Sequence, residues 1–199
     1  MRAYVFQAAL CLCLALGGMA ASAGPAGDLI RQMSDEAIAA LSDGGQPLVQ
    51  REKRLQGLLD THFDLERIAR FAVGRYWRAA TPEQQSDYIK AFSDYIMARY
   101  ARRIGGYSGE TLELVSERPT ETGDVLVETR ILRPAGPPIA AEWRVRTDGG
   151  RPLIIDIVIE GMSMALAKRA AFAALIRQNG IDGLILVLQA DTGRKGARP

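Results

Sequence analysis

The chain has 199 residues, and its 25 Lys and Arg against 23 Asp and Glu leave a net charge of only +2. The two signs are interspersed, which argues against nucleic-acid binding, because that requires a basic face. The length suffices for one domain with a single core, which we expect to be rich in aliphatic residues.

The first 23 residues have the pattern of a cleavable signal peptide. Arg2 precedes an apolar run over 3–20, and Ala21-Ser22-Ala23 places small residues where signal peptidase cleaves. A transmembrane anchor is the alternative, but no stop-transfer charges follow the run. Both cysteines lie within it, so the mature chain, which we expect to be exported, has no thiol for a disulfide, a metal or a nucleophile.

Apolar residues at helical spacing predict three helices before residue 80. The first covers 28–41, the second begins at Pro47, and the third covers 65–73, with Asp64 as its N-cap. The first two helices carry these apolar stripes: Leu29, Ile30, Met33, Ala37, Ile38 and Leu41, then Leu48, Val49, Leu55, Leu58 and Leu59.

The strongest local signal is Thr81-Pro82-Glu83-Gln84. Thr81 can cap a helix, Pro82 fits the first helical position, and Gln84 completes a capping box. A long helix is therefore predicted to follow and to close at Gly105-Gly106.

After residue 109 the hydrophobic period changes from helical to alternating, which predicts strands. Four segments, 111–116, 125–132, 139–147 and 153–160, are separated by turn residues and should form an antiparallel meander. The fourth is apolar at nearly every position, so we expect both of its faces to be covered.

Two more helices, 163–179 and 181–188, follow the strands and meet at Gly180. Their apolar residues cover a wider arc than one core-facing stripe needs. The predicted fold class is therefore α+β, with one domain over 24–190. The polar and basic residues 191–199 are predicted to be a disordered tail.

Few residues offer catalytic or metal chemistry. His62 is the sole histidine, so neither a Ser-His-acid triad nor a histidine-rich metal site can be built, and we interpret it as structural or solvated. No glycine-rich phosphate motif follows a strand, so no cofactor is predicted. Asp156 and Glu160 share a strand face and could form an acid/base pair, or could pair with arginines across the sheet.

Four arginines, Arg67, Arg70, Arg75 and Arg78, cluster around the third helix. They could attract a lipid phosphate or an acidic partner, or they could form a solvated helix face.

Six motifs, in order along the chain, resemble the MlaC family. They are IARFAVGRYW at 68–77, ATPEQQ at 80–85, YSGE at 107–110, EWRV at 142–145, IDIVIEGMSM at 155–164 and RQNG at 177–180. This family comprises periplasmic phospholipid-binding components of Mla-type ABC transport systems, also called toluene-tolerance proteins, and a hopanoid-associated branch is similar.

The resemblance implies helices packed on a strongly twisted four-stranded antiparallel sheet that encloses an apolar lipid cavity. It also implies that the protein is a periplasmic phospholipid carrier, which we expect to be a monomer and not an enzyme. Its expected partners are an inner-membrane Mla-type ABC transporter complex and an outer-membrane lipoprotein/porin complex. Shuttling lipid between these complexes would maintain outer-membrane lipid asymmetry.

Periodicity then selects candidates for the cavity wall. They are Ile68, Phe71, Tyr76, Tyr95, Ile96, Tyr100, Val127, Ile131, Trp143, Ile155, Ile157, Met162, Met164, Phe172 and Ile176. The four arginines are candidates for contacts with the headgroup or with a partner.

Three alternatives stay open at this point. The protein could carry a hopanoid or another apolar lipid, or it could be a small hydrolase- or isomerase-like enzyme that uses Asp156 or Glu160. It could also be a scaffold whose apolar residues are fully packed.

Overall fold

The computed structural model describes residues 24–101, 107–148 and 150–192. The helices are α1 (Pro25–Ser42), α2 (Leu48–His62), α3 (Leu65–Val73), α4 (Pro82–Ala101) and α5 (Met164–Asp191), with a 3₁₀ helix (Gly74–Ala79) after α3. The strands are β1 (Thr111–Pro119), β2 (Val125–Leu132), β3 (Ile139–Asp148), β4 (Arg151–Ile159) and β5 (Met162–Ser163). The predicted signal peptide, the predicted end of α4 at 105–106 and residues 193–199 of the predicted tail lie outside the described residues.

Side-chain caps fix where α3, α4 and α5 begin, as the sequence predicts. The Thr81 N–H donates to Gln84 Oε1 (3.1 Å) and the Gln84 N–H donates to Thr81 Oγ1 (3.2 Å), which is the expected capping box. Asp64 accepts a backbone N–H in the first turn of α3, and Ser163 does the same for α5. These bonds satisfy donors that a helix start otherwise leaves free.

The strands form one antiparallel sheet in the order β1-β2-β3-β4-β5, which confirms the α+β class and the predicted meander. The strand count is five, where the sequence predicts four. The fifth arises because Glu160 (φ 48°) and Gly161 (φ 80°) reverse the chain and return Met162–Ser163 against β4. A two-residue strand is too short to show alternation in a sequence.

A β-bulge shifts the alternation of side chains along β4. The register against β3 slips by one at Ile155. Because a bulge adds one residue to the alternation, Ile154, Ile157 and Ile159 all point to the same face of the sheet. Ile155 lies half-buried on the other face. Leu153 and Val158 are also half-buried on that other face, so both faces of β4 are at least partly covered, as the sequence predicts.

The buried apolar residues form two clusters, where the sequence predicts one core. The first joins α3, α4 and α5, and in it the ring of Phe172 lies edge-on to Tyr88 (6.4 Å between centroids) and to Phe92 (6.2 Å). The second joins α1 to the sheet and contains Ile30 of α1 and Val127 of β2. The two clusters leave a space between them, which becomes the candidate site.

By length and composition α5 could cross a membrane, but Gly180 interrupts it. The φ of 69° and ψ of −179° at this residue are open essentially only to glycine. The segments on either side, 164–179 and 181–191, are both shorter than the ~20 residues that span a bilayer. Each contributes to the helical core, through Phe172 and Leu184 respectively. The predicted helix break at Gly180 is therefore confirmed.

A buried carboxylate joins the start of β2 to β3. Asp124 is fully buried and accepts hydrogen bonds from Arg144 (2.6 Å) and Arg146 (2.9 Å). Burial alone would raise the pKa of Asp124, but the hydrogen bonds from the two arginines outweigh it and lower the pKa below its usual value of 3.8. The carboxylate therefore stays ionised in the folded protein at neutral pH.

Candidate ligand-binding site

A cavity of about 800 Å³ lies between the two core clusters. This volume is in the upper part of the range of about 300–1,000 Å³ that small-molecule pockets occupy. The described lining comprises Met33, Ala37, Leu41, Leu55, Leu58, Leu59, Phe63, Leu65, Ile68, Phe92, Ile96, Tyr107, Glu110, Ile131, Ala141, Trp143, Asp156, Ile157, Ile159, Met164, Ala165 and Lys168. Because aliphatic and aromatic side chains dominate it, the cavity favours an apolar ligand.

Polar contacts hold α1 and α2 together over the cavity. His62 at the end of α2 is 2% exposed, and its Nε2 lies 3.1 Å from Glu36 Oε2 on α1. The hydrogen bond with His62 is the main cause of a lowered pKa at Glu36. Arg51 donates to the carbonyl of Ala40 (3.3 Å) near the end of α1. Of the two interpretations of His62 from the sequence, structural or solvated, the structure supports the structural one.

The sheet side of the wall is fixed around Trp143. Its indole Nε1 donates to Thr129 Oγ1 (2.9 Å), and that hydroxyl donates to the Ala141 carbonyl (3.1 Å). Trp143 pairs across the strands with Ile157, and both line the cavity. Because the indole N–H of Trp143 is hydrogen-bonded within the sheet, the ring can present an apolar surface to the ligand.

Asp156 and Glu160, the candidate acid/base pair, make separate structural contacts. Asp156 accepts hydrogen bonds from the Ser163 hydroxyl (2.5 Å), the Ala165 N–H (2.9 Å) and the following backbone N–H (2.8 Å). It therefore ties β4 to the start of α5, using serine and backbone donors where the sequence suggests arginine. Glu160 is exposed, accepts from the Ala140 N–H (2.8 Å), and is not among the lining residues.

Two other charged residues line the cavity. Glu110 accepts hydrogen bonds from the N–H and the hydroxyl of Ser108 (2.8 Å each), and the backbone bond is the main cause of its lowered pKa. Lys168 donates from Nζ to the Tyr95 hydroxyl (2.6 Å), and Nζ lies 4.8 Å from the centroid of the Tyr95 ring.

The structure brings six of the predicted wall residues to the cavity, and they come from α3, α4, α5 and the sheet. These six are Ile68, Ile96, Ile131, Trp143, Ile157 and Met164.

The other predicted wall residues lie elsewhere. The helical cluster contains Tyr95, Phe172 and Ile176, and the sheet cluster contains Val127. Phe71 and Ile155 line a neighbouring groove, Tyr76 is half-buried against Arg75, and Met162 is 61% exposed. The side chain of Tyr100 lies outside the described part of the chain.

The sequence candidates omit the wall that α1 and α2 provide. The lining includes Met33, Ala37 and Leu41 of α1 and Leu55, Leu58 and Leu59 of α2. All six belong to the apolar stripes recognised in the sequence, but a stripe has the same periodicity whether it faces a packed core or a cavity.

The four predicted arginines divide into two places. Arg67 and Arg70 line a second groove of about 680 Å³, which adjoins the cavity at Asp156 and Ala165. Arg67 pairs with Asp64 (3.0 Å), and Arg70 stacks on Trp77 with its guanidinium 5.1 Å from the ring centroid. Both therefore already have partners within the fold.

Arg75 and Arg78 belong to the 3₁₀ helix and are exposed. The guanidinium of Arg75 lies 5.0 Å from the centroid of the Tyr76 ring and also donates to the Tyr76 hydroxyl (3.1 Å). This hydrogen bond is the main cause of a lowered pKa at Tyr76.

The fold and the site together define a class: an α+β protein in which helices and an antiparallel sheet enclose an apolar binding cavity. Within the part of the chain that the structure describes, no group of three or more His, Cys, Asp or Glu residues could hold a metal ion. The model of one family, described as MlaC protein, matches residues 31–190. The chain therefore belongs to the MlaC family, which confirms the resemblance found in the sequence motifs.

Two relatives illustrate the similarity. The Intermembrane phospholipid transport system binding protein MlaC of Haemophilus influenzae is 24% identical over 171 residues, covering 81% of this chain and 79% of the relative. The solved structure of the phospholipid-binding protein from Ralstonia solanacearum, in complex with a phospholipid, has a TM-score of 0.73 at 24% identity. That match covers 86% of this chain and 98% of the other, and it shows the same fold.

Proposed function

We propose that this protein is a phospholipid carrier that holds acyl tails in the cavity and leaves the headgroup near its opening. The observation that carries the proposal is the apolar cavity of about 800 Å³ between the two core clusters. The names of the relatives support the choice of ligand, since one is a phospholipid transport binding protein and the other was solved with a phospholipid.

The free energy of burying acyl chains determines where such a carrier can release its lipid. Burying a methylene is worth about 0.8 kcal/mol, so two tails with about 30 methylenes gain on the order of 25 kcal/mol relative to water. Release into water would be far too slow to be useful. A bilayer offers the tails a similar environment, so exchange can be close to neutral where the carrier docks at a membrane or at a membrane complex.

The setting we propose is the periplasm, supported by the predicted signal peptide and by the family. There the protein would move lipid between an inner-membrane Mla-type ABC transporter complex and an outer-membrane complex, and so help to maintain outer-membrane lipid asymmetry. The exposed Arg75 and Arg78, together with Arg67 and Arg70 of the groove, are our candidates for contacts with anionic groups of these partners or of the headgroup.

A catalytic role has less support. The relatives are named as binding and transport proteins. The carboxylate of Asp156 already accepts three hydrogen bonds that fix the start of α5, and Glu160 does not line the cavity. These contacts support a structural role for both carboxylates over a catalytic one.

Analysis of co-purifying lipid tests the proposal. The full-length chain is expressed in a Gram-negative host, recovered from the periplasm without detergent, and examined by native mass spectrometry and by lipid extraction. We expect a diacyl phospholipid bound to folded protein. Folded protein that carries no phospholipid would refute the proposal, and a hopanoid in its place would support the alternative carrier.

A further inference from the structure

Lys168 is a cation in an apolar wall, without a carboxylate partner among the described residues. It is the one cation in the described lining, and its side chain is half-buried. No described ion pair involves it, and its one described hydrogen bond goes to the neutral hydroxyl of Tyr95. An ammonium group has three N–H donors, so this bond leaves two of them for another acceptor.

The carboxylates of the lining do not take those donors. Asp156 accepts bonds from Ser163, Ala165 and the adjacent backbone, and Glu110 accepts two bonds from Ser108. A charged group in an apolar wall costs free energy unless an acceptor satisfies it. The cavity thus offers a cationic donor with two N–H groups that no described protein acceptor takes.

We propose that Lys168 binds an anionic phosphate oxygen of the ligand headgroup and so selects phospholipid over neutral lipid. The inference rests on the proposed function and names the group that recognises the headgroup. Charge-assisted hydrogen bonds are the strong ones, and a phosphodiester supplies two charged oxygens. A neutral lipid of similar apolar volume supplies none.

The position of Lys168 also orients the ligand. Glu110 immediately precedes β1, whereas Met164 and Lys168 follow the end of β4, so these lining residues belong to one end of the antiparallel sheet. A headgroup held by Lys168 lies at that end. Its tails then run along the lining that α1 and α2 provide.

Lipid competition measures the selection. The full-length protein, recovered after export and freed of lipid, is incubated with phosphatidylglycerol vesicles that contain equal amounts of dioleoylglycerol and oleic acid. Bound lipids are then quantified by extraction and mass spectrometry. We expect Lys168→Met to lower the ratio of bound phospholipid to diacylglycerol by about tenfold or more, the effect of losing a charged hydrogen bond.

Three further variants separate charge from structure. Lys168→Arg keeps the charge and should keep most of the preference. Tyr95→Phe removes the hydroxyl that positions the ammonium and should lower the ratio in the same direction by a smaller factor. Lys90→Met is the matched control, since Lys90 is exposed on α4, pairs with Asp94 and is not in the lining; it should match the wild type. Thermal unfolding establishes that each variant is folded.

The possible failures are distinguishable. A wild type that binds none of the three lipids refutes the proposed function. A wild type that binds phospholipid, with the same ratio in folded Lys168→Met, overturns the role of Lys168 alone. A preference for oleic acid that depends on Lys168 overturns the phosphate assignment in favour of a carboxylate.

Discussion

A single carboxylate on the sheet wall should abolish lipid binding. Ile157 lies on β4 opposite Trp143, is half-buried and lines the cavity. In Ile157→Glu the empty cavity still lets water solvate the new charge, but an acyl tail has to displace that water. Desolvating a carboxylate without a partner costs several kcal/mol. Since exchange with a bilayer is nearly neutral, a penalty of about 4 kcal/mol lowers lipid occupancy about 1,000-fold.

The assay compares retained lipid and vesicle exchange in the wild type, in Ile157→Glu and in a matched control. Val115→Glu is the control because it also puts a glutamate on a strand, at a residue that is 45% exposed and outside the lining. We expect no detectable phospholipid in Ile157→Glu and normal occupancy in Val115→Glu. If Ile157→Glu unfolds at the wild-type temperature and still retains lipid, the cavity is not the binding site.

Three further predictions concern the fold and the mature N-terminus. Because the pKa of Asp124 is lowered, its contribution to stability is present above about pH 4 and lost as pH falls. Asp124→Asn replaces charged hydrogen bonds with neutral ones, so it should cost about 2 kcal/mol at pH 7 and flatten this acid dependence in urea unfolding. Gly180→Ala should cost about 1–3 kcal/mol in thermal unfolding, since alanine is strained at this φ and ψ, and an unchanged midpoint would contradict that. The Gly24 nitrogen donates to Glu117 Oε1 (2.8 Å). Cleavage after Ala23 would make this nitrogen a charged α-amino group, so N-terminal sequencing of exported protein should begin at Gly24. Glu117→Gln should then lower the unfolding temperature of the mature protein, because it breaks the ion pair between Glu117 and that amino group.

Local signals in the sequence predicted much of the fold. The capping box at Thr81, the N-caps at Asp64 and Ser163, and the break at Gly180 each depend on residues adjacent in the chain. Strand alternation likewise depends only on near neighbours, and it located four of the five strands. Such features can be predicted because their physical cause is local.

The cavity wall could not be predicted in the same way. An apolar stripe shows that a helix face avoids water, but it does not show whether that face meets side chains or a ligand. Periodicity therefore selects Phe172 and Ile176, which are packed in the helical cluster, and omits Leu55 and Leu58, which line the cavity. The bulge at Ile155 was hidden for a similar reason, because a continuous apolar run has no alternation in which a slip could be seen.

The polar contacts explain how an apolar cavity can persist. Protein interiors close to high packing density, and a large empty space lined by apolar groups is unfavourable. In this fold the walls are held by bonds that do not depend on filling the space: His62 to Glu36 joins α1 and α2, Asp156 joins β4 to α5, and Trp143 is fixed to Thr129 behind the sheet wall. A ligand with a long apolar body then supplies the packing that the protein alone lacks. The free energy of binding such a ligand is therefore, in large part, the free energy that a fully packed core would have gained on folding.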